Sequence, residues 1–147
     1  MAGAGDRKRV LIVDDDPSVR SGLPPILSSG NVDVRTAESR EEAERVLASM
    51  TVDLVITDLC LEGFGDVAGL EFVSRVHERY PGTAVVLLTA FGSEEIRDEA
   101  LRRGAADYWE KQRSIGELLE RLRALGIGKG TGGEAGDRLL NTVLRIE

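Results

Sequence analysis

An α/β doubly wound domain, a parallel five-stranded sheet with helices on both faces, is the fold this sequence predicts, and three observations predict it. Short apolar runs alternate with longer amphipathic stretches five times along the chain. Three of the runs, Val10-Leu11-Ile12-Val13, Leu54-Val55-Ile56 and Ala84 to Leu88, are nearly all apolar and rich in Val and Ile. That is the pattern of strands covered on both faces. The stretches between them repeat apolar residues at helical spacing, so each unit reads as a strand followed by a right-handed crossover helix.

The elements follow in order. After the first strand, Asp16-Pro17 starts a helix, with an acceptor at the N-cap and Pro at the first helical position. Pro24-Pro25 falls where that helix should still be running. An interior proline removes a backbone donor and costs ~3 kcal/mol, so a kink or an early end is expected. Val32 to Val34, short and bounded by charge, reads as an edge strand. Ser39 to Met50 places Ala43, Val46, Leu47 and Met50 on one helical stripe. Leu54 to Ile56 is the third strand, and Leu70 to Tyr80 the next helix, with Leu70, Val73 and Val76 or His77 inward. Ala84 to Leu88 is the fourth strand. Ser93 to Arg103 turns Ile96, Ala100 and Leu101 inward and ends at Gly104, a glycine just past a helix end. Asp107-Tyr108-Trp109 is the fifth strand, with Trp109 directed into the core. Ser114 to Leu125 closes the series by burying Ile115, Leu118, Leu119 and Leu122.

The 147 residues, 41% hydrophobic and 31% charged, suit one globular domain with a short appendage. We divide them into a lead (1–8), a domain (9–125), and a glycine-rich linker with a short amphipathic tail (126–147). The tail carries Leu139, Leu140, Val143, Leu144 and Ile146, and alone it is too short to be stable. Gly128, Gly130 and Gly133 make a formal G-x-G-x-x-G, but it follows a helix instead of a strand, so it is not a dinucleotide fingerprint. A net charge of -7 with scattered Arg and Lys disfavours a nucleic-acid footprint. No apolar run approaches the roughly 20 residues of a membrane span, and no signal peptide is evident. The single cysteine, Cys60, cannot close an intrachain bridge. A cytoplasmic chain is expected.

In an open parallel sheet, ligands bind beyond the carboxyl ends of the strands. Strand one ends in Asp14-Asp15-Asp16, strand three in Thr57-Asp58, strand four in Thr89-Ala90 and strand five in Glu110-Lys111. Converging carboxylates would repel one another unless a cation neutralised them, and Mg²⁺ is commonly held by a few carboxylates with waters and phosphate oxygens. Lys111 and Thr89 are placed to stabilise phosphoryl oxygens, and an Asp can serve as the nucleophile. Asp16 has the simpler role of N-cap. His77, the only histidine, reads as a surface or boundary residue.

Four motifs in order are L-I-V-D-D-D-P-S-V-R at Leu11 to Arg20, V-I-T-D-L at Val55 to Leu59, V-L-L-T-A at Val86 to Ala90, and G-A-A-D-Y-W-E-K at Gly104 to Lys111. Through them the chain closely resembles the response-regulator receiver family of two-component signalling, over about Arg9 to Leu125. The resemblance implies a (βα)5 flavodoxin-like fold with strand order 2-1-3-4-5. It implies that Asp58 is the phosphoacceptor, that Asp15 binds Mg²⁺ directly with Asp14 as its partner, and that Cys60 coordinates the metal through its backbone carbonyl. Thr89 then matches the switch hydroxyl, Lys111 the essential lysine and Tyr108 the aromatic switch. It implies a phosphoryl donor, a histidine kinase or phosphotransfer protein, and a downstream protein bound by the face of helix four, strand five and helix five. A phosphorylation-dependent dimer is compatible with it. The chain would be a regulatory phosphoacceptor and not an enzyme acting on an outside substrate.

Three features depart from the family pattern. Gln112 stands where a proline usually follows the lysine. The loop after Asp58 has Glu62 at the common proline position and runs longer, through Ala68, so that Glu62 or Asp66 can reach the site. The third is the diproline. Gln112 and that loop motivate the alternative reading, a receiver-fold interaction module that works without phosphorylation. A phosphatase of another class ranks third, because Cys60 replaces the second aspartate of a D-x-D pair.

Overall fold

Parallel pairing runs through five strands in the order β2-β1-β3-β4-β5. The computed structural model describes residues 7–28, 31–59, 66–90, 92–111 and 115–125. The strands are β1 (Lys8–Val13), β2 (Val32–Ala37), β3 (Leu54–Asp58), β4 (Ala84–Thr89) and β5 (Asp107–Glu110). The helices are α1 (Pro17–Leu27), α2 (Arg40–Ser49), α3 (Asp66–Arg79), α4 (Glu94–Arg102) and α5 (Ile115–Ala124). Among the described residues no helix is long and apolar enough to cross a membrane.

Period-two alternation along each strand divides the core in two. Leu11, Val13, Val55, Val85 and Leu87 face Ala43, Leu47, Phe72, Val73, Val76 and Ala100 of α2, α3 and α4. Val10, Ile12, Leu54, Ile56, Val86, Leu88 and Trp109 face Leu27, Leu118 and Leu122 of α1 and α5. Because both faces are covered, β3 is buried at every position, which is why its sequence shows no polar alternation. Trp109 is 2% exposed, as its place in the strand predicts.

Helix ends follow local chemistry. Ser39 and Ser93 accept from the amides of Glu42 and Ile96 and cap α2 and α4. Asp16 accepts from the Ser18 amide and hydroxyl, so the capping role read from the sequence holds. These bonds hold the Asp16 carboxyl below the ordinary carboxylate range, with smaller help from Lys111 and Arg20 against weak desolvation. Past α4, Gly104 has φ +109°, while the amides of Gly104 and Ala105 donate to the carbonyls of Leu101 and Ala100. That pair of bonds is a Schellman closure.

Two expectations need correction, and two alternatives left open are narrowed. The diproline does not end α1, which continues to Leu27 with Pro24 and Pro25 inside it. Only two helical residues remain beyond them, Leu27 anchors the end in the core, and the Ser28 amide closes it on the Pro24 carbonyl at 2.8 Å. Helix α3 starts at Asp66, not Leu70, so the segment read as a long loop is already helical from residue 66. Leu101 is 41% exposed; Ile96 and Ala100, four apart, take the inward stripe, and the next residue rotates out. His77 is exposed while its neighbour Val76 is buried, which settles the alternative left open for that helix. Ser114, the side chain of Ile115, and the tail after Leu125 lie outside the described residues.

The early start of α3 explains Gly69, which lies inside that helix. A side chain there would overlap the Leu59 backbone carbonyl, one residue past Asp58. Gly69→Ala is therefore expected to cost about 1–3 kcal/mol, although alanine is the better helix former. The readout is a lower urea midpoint at unchanged slope; an unchanged midpoint would mean that Leu59 yields freely.

Candidate functional site

Each of four strands delivers one group to the same end of the sheet. Asp14 follows β1 directly and is 1% exposed, Asp58 ends β3 at 8%, and Thr89 ends β4 at 2%. Lys111 follows β5, and its amide donates to the Thr89 carbonyl at 2.8 Å. Asp15, one residue beyond Asp14, is exposed to solvent. Ligand oxygens of Asp14, Asp15 and Asp58 lie within 4.8 Å of one another. The Lys111 ammonium is 2.9 Å from Asp14 Oδ2 and 3.6 Å from Asp58 Oδ1. The structure thus brings together Asp14, Asp15, Asp58, Thr89 and Lys111, as the strand ends predict. Cys60 and Gln112 lie outside the described residues.

Asp14 is engaged on both carboxylate oxygens. Oδ1 accepts from the Asp16 amide at 2.9 Å, and Oδ2 faces Lys111. Its backbone carbonyl accepts from Arg20 Nη1 at 3.0 Å, and Arg20 in turn lies 3.5 Å from Glu38. Arg20 closes the first motif, yet its role was not read from the sequence. A cation four residues past a helix N-cap is the signal that could have suggested a return contact.

Charge in this cluster is unbalanced. Burial, then the charge of Asp14, pushes the Asp58 carboxyl above its ordinary value; Lys111 opposes this and Asp15 adds to it. For Lys111, burial works against the ammonium. The hydrogen bond and charge of Asp14, with the charges of Asp58 and Asp16, outweigh that and raise it. Three hard oxygen donors beside one half-buried lysine, with Asp58 held unfavourably charged, form a set that suits a divalent cation of the Mg²⁺ kind.

Tyr108 and Trp109 leave β5 on opposite sides. Tyr108 packs, partly buried, against the core on the face covered by α2, α3 and α4. Trp109 lies on the other face, and its indole Nε1 donates to Asp107 Oδ2 at 2.8 Å. Asp107 Oδ1 also accepts from Arg121 of α5 at 2.8 Å. Asp107 therefore fastens α5 and Trp109 to the edge strand. The sequence reading passed over it, although an acidic residue opening a short strand is a visible anomaly.

The raised Asp58 predicts a specific pH dependence. The folded chain binds this proton more tightly than the unfolded chain. Stability therefore falls as pH rises from the ordinary carboxylate value through the folded one, and the penalty is complete above it. In metal-free buffer, Asp58→Asn should melt a few degrees higher than wild type at neutral pH. The difference should vanish as pH drops below the ordinary carboxylate range. A gain that persists undiminished in acid would show that relief of charge is not its source.

Residues 10–123 match the family described as response regulator receiver domain. The response regulator protein PilR of Pseudomonas aeruginosa is 38% identical over 114 residues, which cover 78% of this chain and 25% of PilR. The chain thus spans about a quarter of the length of that relative. A response regulator from Thermotoga maritima superposes with a TM-score of 0.73 at 27% identity, covering 81% of this chain and 97% of that one. The beryllofluoride-activated NtrC4 receiver domain dimer gives 0.72 at 29%, covering 80% and 94%. With the strand order and the acidic strand ends already described, these matches make the chain a member of the response regulator receiver domain family.

Proposed function

We propose that this domain accepts a phosphoryl group on Asp58 in the presence of Mg²⁺, from a histidine kinase or phosphotransfer protein, and relays the event to a downstream protein. The observation that carries this reading is the meeting of Asp14, Asp15 and Asp58 within 4.8 Å, with Lys111 on Asp14 and Asp58.

The geometry supports a role for each residue in this reading. An Asp58 oxygen forms the new bond to phosphorus as the bond between phosphorus and the donor imidazole nitrogen breaks, and the electron pair stays on that nitrogen. Asp15, exposed at the mouth, and Asp58 would hold the cation directly. Asp14 would act as its more distant partner, since both its oxygens have protein partners. When bound, Mg²⁺ supplies positive charge to the carboxylates and the phosphoryl oxygens. Lys111 is close enough to Asp58 to pair with the phosphoryl group once its contact with the free carboxylate is lost. Thr89, buried at the next strand end, offers a hydroxyl to the same group. The reach of Thr89 toward phosphate then alters the space beside Tyr108 and biases the face formed by α4, β5 and α5. The Cys60 carbonyl belongs to this scheme by family resemblance alone. Association on phosphorylation, a cytoplasmic setting and the protein partners are part of the same proposal.

Acetyl phosphate with Mg²⁺ is expected to add one phosphoryl group, located by mass spectrometry on Asp58 and absent from Asp58→Ala. Modification elsewhere, or none where other receivers are labelled, would overturn the reading. In a Mg²⁺ titration, Asp15→Ala should weaken binding about tenfold or more and Asp16→Ala little, given a ligand in one case and a cap in the other; equal losses would contradict the assignment. Trp109 should report the switch. Its fluorescence is expected to change on adding beryllofluoride and Mg²⁺, with no change in Asp58→Ala and a reduced one in Thr89→Ala. A shift of ~1.4 kcal/mol is enough for a tenfold change in the two-state ratio. Full modification with an unchanged spectrum would uncouple Tyr108 from the site.

A further inference from the structure

We propose that Gly92 is the residue that admits Tyr108 to its inward seat, and that the missing side chain there sets how far Thr89 and Tyr108 can respond to one another. The proposal deepens the switch reading above, and rests on it only for the response to phosphorylation.

The glycine is required by space and not by backbone conformation. Its φ lies outside the left-handed region; among the described residues only Gly104 has a positive value. Other surface glycines are unconstrained, since a side chain at Gly22 or Gly82 would meet nothing within 4 Å. At Gly92 a Cβ would overlap the Tyr108 hydroxyl, stand 2.5 Å from its Cζ, and stand 3.2 Å from Thr89 Cγ2. The Tyr108 atoms are the far end of an aromatic ring with few rotamers, and the ring packs, partly buried, against the core on the face covered by α2, α3 and α4. It cannot retreat by a few tenths of an ångström. It must leave the seat or push the glycine away.

The place of Gly92 gives this consequence for α4. Ser93, the next residue, caps α4 through the Ile96 amide. A side chain at 92 therefore forces a choice between an outward Tyr108 and a displaced first turn of α4. In the wild type no such choice arises, and Tyr108, Thr89 and the start of α4 share one packed space. Motion of Thr89 is then felt directly by Tyr108 and by the entrance of the helix.

The test uses the full chain with Gly92→Ala. Tyr108 and Tyr80 are the two tyrosines, so nitration by tetranitromethane, read at each by peptide mass spectrometry, has an internal reference. In the unmodified protein, Gly92→Ala should raise the Tyr108 to Tyr80 nitration ratio several-fold and diminish the Trp109 response to beryllofluoride. Placed on Tyr108→Ala, the same substitution should leave the urea midpoint unchanged, because the clashing ring is gone. An unchanged nitration ratio together with an unchanged urea midpoint would overturn the proposal. If Gly92→Ala fails to fold, the double variant with Tyr108→Ala should fold, and its failure to do so would equally overturn it. A wild type that does not respond to beryllofluoride would count against the function proposed for Asp58. It would leave the seat, which is read in the unmodified protein, to stand or fall on nitration and the urea midpoint.

Discussion

The ammonium of Lys111 lies between the carboxylates of Asp14 and Asp58, and the arrangement of the strand ends depends on it. Two like charges about 4 Å apart repel by roughly 4 kcal/mol at an effective dielectric near 20, a large fraction of the stability of a domain this size. The sheet order makes that repulsion unavoidable, because β1 and β3 are neighbours, Asp14 directly follows β1 and Asp58 ends β3. Lys111 arrives from the far side of β4, tied to Thr89 by its own amide. Its long side chain spans the intervening strand end to reach both acids. Lys111 thereby couples the ends of four strands.

Much of this was legible in the sequence, for identifiable reasons. Continuous apolar runs such as Val10 to Val13 can persist only where both faces are covered, so they announced the parallel sheet. Charged groups at strand ends stood out against those runs, so Asp14, Asp15, Asp58 and Lys111 were found together. The failures have a different origin. Leu101 was assigned inward from its hydrophobicity, although the stripe set by Ile96 and Ala100 leaves it outside. The start of α3 was missed because the apolar stripe begins only at Leu70; Gly69, just before it, answers to the Leu59 backbone just past β3. Gly92 was unread for the same reason, since Tyr108 lies on another element and no local pattern encodes their meeting. Arg20 and Asp107 did carry local signals, a cation four residues past an N-cap and an acid opening a strand, but neither signal names its partner.

The two cores are joined by β5 in a way that neither core alone would suggest. Tyr108 belongs to one and Trp109 to the other, on consecutive residues of a four-residue strand. A small rotation of that strand is felt in opposite senses on the two faces. The hydrogen bonds from Trp109 and Arg121 to Asp107 carry it on to α5. Interiors packed at crystalline density do not absorb such a displacement by compression.

Among the described residues the outermost strands, β2 and β5, each have one side without a neighbouring strand. An open edge of this kind is a template on which other chains can polymerise. Here β5 is only four residues long and begins and ends with an acid, Asp107 and Glu110, while β2 carries Asp33 and Arg35. Brevity and charge are the usual protection against uncontrolled growth of a sheet. Main-chain pairing with another chain, which has no natural end, is thereby disfavoured at both edges.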